Sequence, residues 1–175
     1  METLTINKIG VNEIESLQKI SKQTFIEAFS EGNNEEDLSA YLEENLSMIK
    51  LRAELTNPDS QFYFATLNDE VIGYLKLNFG SAQTELEEES GVELERIYVL
   101  KEFYGKKAGQ LLYAKALEIA QAVKAQYLWL GVWEKNLRAI RFYQKNGFVE
   151  FDKHLFRLGK DIQTDIMMKV EFTEP

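Results

Sequence analysis

Two groups of side chains in this 175-residue sequence are of a type and spacing that could do chemistry. Glu93 and Glu95 stand two residues apart in GVELERIYVL, a run that alternates like a strand. At that spacing both carboxylates could point to the same side of a sheet and line an acidic site, where a carboxylate can do general acid–base work. The same alternation also fits the solvent face of a half-exposed strand. The second group follows at once. Lys101, Lys106 and Lys107 cluster around the turn Gly105–Gly109, between that strand and an amphipathic stretch. A strand, a glycine turn and a helix start present free N–H groups and a positive dipole, which suits a phosphate or diphosphate. Any strand–helix junction can carry a glycine and surface lysines, so on its own this pattern is weak.

Composition narrows the chemistry. There is no cysteine, which excludes a disulfide framework, a thiolate zinc site and a cysteine nucleophile. His154 is the one histidine, so a multi-histidine metal centre or a Ser-His-Asp triad is not expected, and no metal is assigned. His154 itself reads as structural or surface-exposed. Twenty basic against 29 acidic residues give a net charge of −9. That balance disfavours nucleic acid and suits a small cationic partner. METLTINKIG has no apolar signal core, and no stretch approaches the roughly 18 apolar residues of a membrane span. The expectation is a cytoplasmic protein with no membrane partner.

The elements that must position these groups follow from periodicity. Asn12 to Phe29 predicts a helix, with Ile14, Leu17, Ser21, Phe25 and Ala28 on one face. A second helix begins at Asn33 or Asn34, with Glu35, Glu36 and Asp37 in its first turn, and a third covers Met48 to Leu55. Gln61–Leu67 and Val71–Asn78 form a hairpin across Asn68-Asp69-Glu70. The acidic stretch Ser81–Gly91 reads as a mobile, solvated loop. A strand Glu93–Leu100 and a helix Gln110–Lys124 follow, then the almost unbroken hydrophobe Tyr127–Trp133, as in a parallel strand buried on both faces. Trp129 and Trp133 lie within it as core residues, Trp133 nearer a binding end. Asn136 caps a helix Leu137–Lys145, and strands Val149–Leu158 and Ile162–Phe172 close the chain. The prediction is one α/β domain spanning 1–175, with helices flanking a mixed, mostly antiparallel sheet around one parallel crossover.

LWLGVWEKNLRAIRFYQKNGFVE resembles the coenzyme-binding motif B of the GNAT superfamily of N-acetyltransferases, and ELERIYVLKEFYGKKAGQLLYAKALEIA sits where that family has motif A. With QTF-x-x-AF (Gln23 to Phe29) and LGKDIQTDIMMK, the chain is similar over nearly its whole length to PaiA-type spermidine/spermine N-acetyltransferases. The resemblance implies the GNAT fold, in which the sheet splays between two parallel central strands and acetyl-CoA is the cosubstrate. It implies that the main chain of Ile97, Tyr98 and Val99 pairs with the pantetheine arm. A backbone N–H near Val99 would hold the acetyl oxygen. The diphosphate would lie on Tyr104, Gly105, Lys106, Lys107, Ala108, Gly109 and Gln110, with Asn136 and Lys145 as further coenzyme contacts. The family's turn is Arg/Gln-x-x-Gly-x-Gly/Ala, whereas this chain has Tyr104, Lys107 and Gly109 at those positions. If residue 107 takes a positive φ, a non-glycine side chain there costs about 1 kcal/mol.

By the same resemblance Glu95 is the general base. Tyr143 is the acid that protonates the leaving thiolate, although its helical spacing from Ala139 and Ile140 also fits core packing. Glu27, Glu93 and Asp165 are the expected substrate carboxylates, with Glu31, Glu35, Glu36 and Asp37 adding charge near the first two helices. Transfer would be direct, in a ternary complex. A homodimer is the family's expectation. Another amine acceptor is an alternative, as is a weakly catalytic coenzyme-binding regulator, since PaiA-type proteins are also described as negative regulators of protease production and sporulation.

Overall fold

The computed structural model describes residues 3–172. The chain begins with a strand that the periodicity argument passed over, β1 (Leu4–Ile9), in which Leu4 and Ile6 turn inward and Thr5 and Asn7 outward. It pairs antiparallel with β2, from Leu4 opposite Leu67 to Ile9 opposite Phe62. Three helices follow: α1 (Ile14–Phe29), α2 (Glu35–Asn45) and α3 (Met48–Thr56). Asn34 and Ser47 cap the latter two, each side-chain oxygen accepting a backbone N–H three residues on. The hairpin of β2 (Ser60–Leu67) and β3 (Glu70–Asn78) turns on Asn68 and Asp69, at φ 50° and 67°. Those are the left-handed angles that a two-residue hairpin matching strand twist requires.

β4 (Gly91–Val99), α4 (Ala108–Ala122) and β5 (Tyr127–Trp133) form the parallel crossover. α5 (Leu137–Lys145) and the antiparallel pair β6 (Val149–Leu158) and β7 (Asp161–Glu171) complete the chain. The seven strands run in the order β1-β2-β3-β4-β5-β7-β6, antiparallel everywhere except β4–β5. One core fills the face covered by α4 and α5, around Leu75, Leu94, Leu112, Leu128 and Leu130. The other fills the face under α1, α2 and α3, around Leu17, Phe25, Leu51, Phe62 and Tyr74. Burying these side chains supplies the main stabilisation, about 2 kcal/mol for each large apolar group.

Ser81–Gly91 is not the loose solvated loop that its composition suggests. Gln83 is buried, its amide donates to the carbonyls of Gly80 and Glu88, and its Oε1 accepts the Trp129 indole N–H at 2.7 Å. A charge-rich stretch can therefore be fixed by a buried amide at its centre, together with the bond from the Tyr127 hydroxyl to Glu88.

Candidate active site

β4 and β5 are in register over only three pairs, ending at Glu93 opposite Trp129. Beyond that point β4 keeps its pairing with β3, from Leu94 opposite Leu77 to Val99 opposite Gly73, and β5 stays with β7. The edge of Leu94–Val99 that faces β5 is therefore outside the ladder. The gap opens into a cleft of about 950 Å³ that passes between the strands.

One mouth of the cleft is basic. Lys107 sits at the head of α4 with φ 66°, the positive angle that carries the cost anticipated for a non-glycine residue there. It starts the helix two residues earlier than the pattern suggested. Leu111 is the first residue of the helix whose N–H reaches back to a carbonyl, Lys107 O at 3.0 Å, so the amides of Ala108, Gly109 and Gln110 lie at the positive helix end. A β-carbon placed on Gly105 or Gly109 would meet nothing within 4 Å, so open space lies in front of both. Asn136 lines the same mouth while its Oδ1 caps α5 by accepting the Ala139 N–H, and Lys145 lies at the far end of that helix. Of the coenzyme residues predicted from sequence, Lys106 alone lies outside the cleft wall. Sequence reasoning missed Arg138 and Arg141, which do line it. The Arg138 guanidinium stacks on the Tyr104 ring, 3.8 Å from its centroid, so a cation from α5 stands where the family's turn would carry its own. The one available signal was the helical spacing of Arg138, Arg141 and Lys145.

The other end is acidic and aromatic. Phe25 and Phe29 of α1, Tyr41 of α2, Tyr74, Tyr98 and Trp133 enclose it, with Phe25 stacked on Tyr41 at 4.3 Å. Glu95 occupies a bulge in β4, where the β3 register jumps between Lys76 and Leu77. Its carboxylate accepts from Lys76 Nζ at 2.8 Å and Asn78 Nδ2 at 2.8 Å, and pairs with Arg96 Nε at 3.0 Å. Lys76 and Arg96 in turn bind Glu54 at 3.2 and 2.9 Å, which closes a buried quartet with no net charge. Burial alone would raise the Glu95 pKa, but Arg96 and Lys76 outweigh it and hold the carboxyl at about 2. A carboxylate held there cannot keep a proton near neutrality. Its low proton affinity argues against Glu95 itself as the group that holds the acceptor's proton.

Glu93 is also spent. It is 3% exposed, and it accepts from Asn78 Nδ2, Thr84 N–H and Thr84 Oγ1 at 2.9, 2.8 and 2.6 Å. Burial pushes its pKa up, and the charge of Glu95 pushes it further. Its carboxylate anchors the 80s loop and is not a free substrate ligand. Glu27 lines the cleft and accepts the Lys101 N–H at 2.9 Å. Asp165 of β7 lies opposite Trp133 of β5 and opposite His154 of β6, and both it and His154 line the cleft. His154 is thus a wall of the site, a placement that sequence reasoning missed. Its signal was Gly131, which interrupts the hydrophobic strand: a β-carbon there would come within 3.3 Å of the imidazole. Glu85, left without a role by its acidic surroundings, also lines this wall. Tyr143 is buried against Phe142 and Phe148 and reaches the cleft, with its phenol pushed far above the ordinary range by burial. Burial keeps the phenol protonated and makes it a weaker acid.

A mixed sheet opened between its two parallel strands, with a glycine turn and helix start at one mouth, defines an α/β coenzyme-cleft protein. The acetyltransferase (GNAT) family model matches residues 14–148, and the chain belongs to that family. It is 38% identical over 169 residues to an uncharacterized N-acetyltransferase of Lactobacillus delbrueckii subsp. lactis, covering 97% of this chain and 98% of that one. It is 25% identical over 150 residues to the spermidine N(1)-acetyltransferase of Thermoplasma acidophilum, covering 83% and 88%. Among solved structures, the PaiA N-acetyltransferase of Thermoplasma acidophilum in complex with coenzyme A superposes with a TM-score of 0.80 at 24% identity, over 97% and 99% of the two chains. The predicted architecture is the observed one.

Proposed function

We propose that this N-acetyltransferase uses acetyl-CoA and acetylates a small cationic amine of the polyamine class. The observation that carries the reading is the charge gradient along one cleft. Lys107, Arg138, Arg141 and Lys145 line it from the α4 turn and α5, and Glu31, Glu85 and Asp165 line it from the end of α1, the 80s loop and β7. An anionic coenzyme and a polycation would each meet complementary charge. The turn suits a diphosphate by the free amides of Ala108–Gln110 and the open space before Gly105 and Gly109. The unpaired edge of Ile97, Tyr98 and Val99 suits the amides of a pantetheine arm. The spermidine acetyltransferase relative supports the acceptor class.

The thioester supplies an activated acyl group; the chain's residues bind, orient and move protons. In this reading Tyr143, which reaches the cleft, is the phenol that protonates the departing thiolate. The aromatic wall keeps water from the reacting amine, and a carboxylate at the acceptor end must take the ammonium proton. A second reading, an amine bearing a neighbouring carbonyl such as an amino acid or a protein N-terminus, is favoured by Arg96 Nη1. That atom is buried in the cleft wall without a hydrogen-bond partner among the described residues. Coenzyme release followed with a thiol reagent decides between them, because the protein contributes no thiols of its own. Spermidine-dependent release that weakens at high salt is the expected result. Preference for amino-acid amides would favour the second reading, and no release with any amine would overturn both.

A further inference from the structure

We propose that Asp165 is the group that takes the proton from the acceptor ammonium, with His154 positioned beside it to pass that proton outward through Glu85. This rests on the transferase reading above, and it follows from which carboxylates in the cleft are free. Glu95 is locked to Lys76 and Arg96, Glu93 to Thr84 and Asn78, Glu27 accepts the Lys101 amide, and Glu31 stands exposed at the rim, where water levels its basicity. Among the described residues no hydrogen bond is donated to the Asp165 carboxylate; its nearest charged neighbour is His154 Nε2, 3.6 Å from Oδ2. On the other side of the ring, His154 Nδ1 is buried without a hydrogen-bond partner, 3.6 Å from Glu85 Oε1. At 3.6 Å neither contact is a hydrogen bond, so Asp165 and His154 both keep valences open toward the cleft.

The three groups come from β7, β6 and the 80s loop, and they form a line toward solvent. Their side chains are 15%, 23% and 44% exposed for Asp165, His154 and Glu85. Gly131 makes the line approachable, since a side chain there would press on both the imidazole and Asp165 Oδ2, at 3.3 and 3.6 Å. His154 of β6 is the titratable group that faces this carboxylate, with Glu85 beyond the ring; on β5 the facing residues, Gly131 and Trp133, do not titrate. Burial raises the Asp165 pKa to about 6, against a smaller lowering by His154, so the group is ionised at neutral pH yet basic enough to hold a proton in passing.

The proton count closes. An acceptor R–NH3+ gives one proton to Asp165, which returns it to solvent by way of His154 and Glu85. The nitrogen then forms its bond to the acetyl carbon as the carbon–sulfur bond breaks. The second nitrogen-bound proton replaces the one that Tyr143 delivers to sulfur, so the products are R–NH–acetyl, a thiol and one proton.

The test is the pH dependence of kcat at saturating acceptor for the wild type, Asp165→Asn and His154→Gln, with circular dichroism to confirm folding. The wild type should lose activity as pH falls through about 6, because protonated Asp165 accepts nothing. Asp165→Asn should lower kcat by about 100-fold or more and abolish that limb. His154→Gln should keep the limb but move it to higher pH, because the neighbour that lowers the Asp165 pKa is gone. An Asp165→Asn enzyme within threefold of wild type, with its acid limb in place, overturns this inference and leaves the transferase reading intact. A wild type that releases no thiol with any amine overturns both.

Discussion

The acceptor end of the cleft has two acidic walls built on opposite principles. On the β3–β4 side, Glu54 and Glu95 are matched one for one by Lys76 and Arg96 at 2.8 to 3.2 Å. On the β6–β7 side, Asp165 and His154 stand 3.6 Å apart with open valences. Both walls are largely buried, yet Glu95 is held at about 2 and Asp165 at about 6. Burial alone does not set a carboxylate's proton affinity; the count of charged partners does. The paired wall is thereby suited to holding shape and the open wall to moving protons.

The largest expected effect comes from unbalancing the paired wall. Arg96→Ala leaves Glu54 and Glu95 sharing Lys76, with a buried negative charge uncompensated. Breaking a buried pair in this way costs about 3 to 5 kcal/mol, which for a chain of this size lowers the melting temperature by roughly 10 °C. Thermal denaturation at neutral pH measures it, and an unchanged midpoint would mean that the quartet contributes no stability.

The two walls should also respond to pH with opposite sign. A carboxylate lowered from 4.5 to about 2 gives stability that is present above the unfolded value and is lost as pH falls through the folded one. For Glu95 this amounts to about 3 kcal/mol. Asp165 is raised from 3.8 to about 6, so its contribution is favourable at low pH and is lost as pH rises through about 6. At neutral pH its charge therefore costs about 2 to 3 kcal/mol. Glu95→Gln should destabilise at neutral pH and flatten the acid unfolding curve. Asp165→Asn should raise the neutral melting temperature by several degrees while cutting turnover about 100-fold or more, the trade expected where a site holds an ill-compensated charge. Melting curves from pH 3 to 8 on both variants test the contrast, and shifts of the same sign would refute it.

That contrast was only half legible in the sequence. The parallel crossover showed in the unbroken hydrophobe Tyr127–Trp133, and the helix caps at Asn34 and Asn136 showed as side chains able to bond a following amide. The glutamates of β4 were visible; their partners were not. Arg96 meets Glu54, 42 residues earlier in the chain, and the bulge at Glu95 fits no period-two pattern. The pairing of His154 with Asp165 depends on the β6–β7 register, which itself shifts between Glu150 and Asp152. β1 was missed because six residues with two or three inward positions give too short a pattern to separate from chance. Composition misled once, at the 80s loop, where the signal lay in Gln83 and Trp129, not in the glutamates.

The smallest expected effect lies at the basic mouth and separates folding from binding at a single position. Lys107 holds φ 66° without a side-chain cap, so the backbone pays for a residue that glycine would replace without strain. Lys107→Gly should therefore stabilise the free protein by about 1 kcal/mol, or 2 to 4 °C in melting temperature. If the lysine is retained because its ammonium meets a coenzyme phosphate, the same change should weaken coenzyme binding several-fold, and the loss should shrink as salt is added. Calorimetric titration with coenzyme A at two salt concentrations checks both. A stabilised variant that binds as well as wild type would move the phosphate-binding role from Lys107 to Arg138, already stacked on Tyr104 across the same mouth.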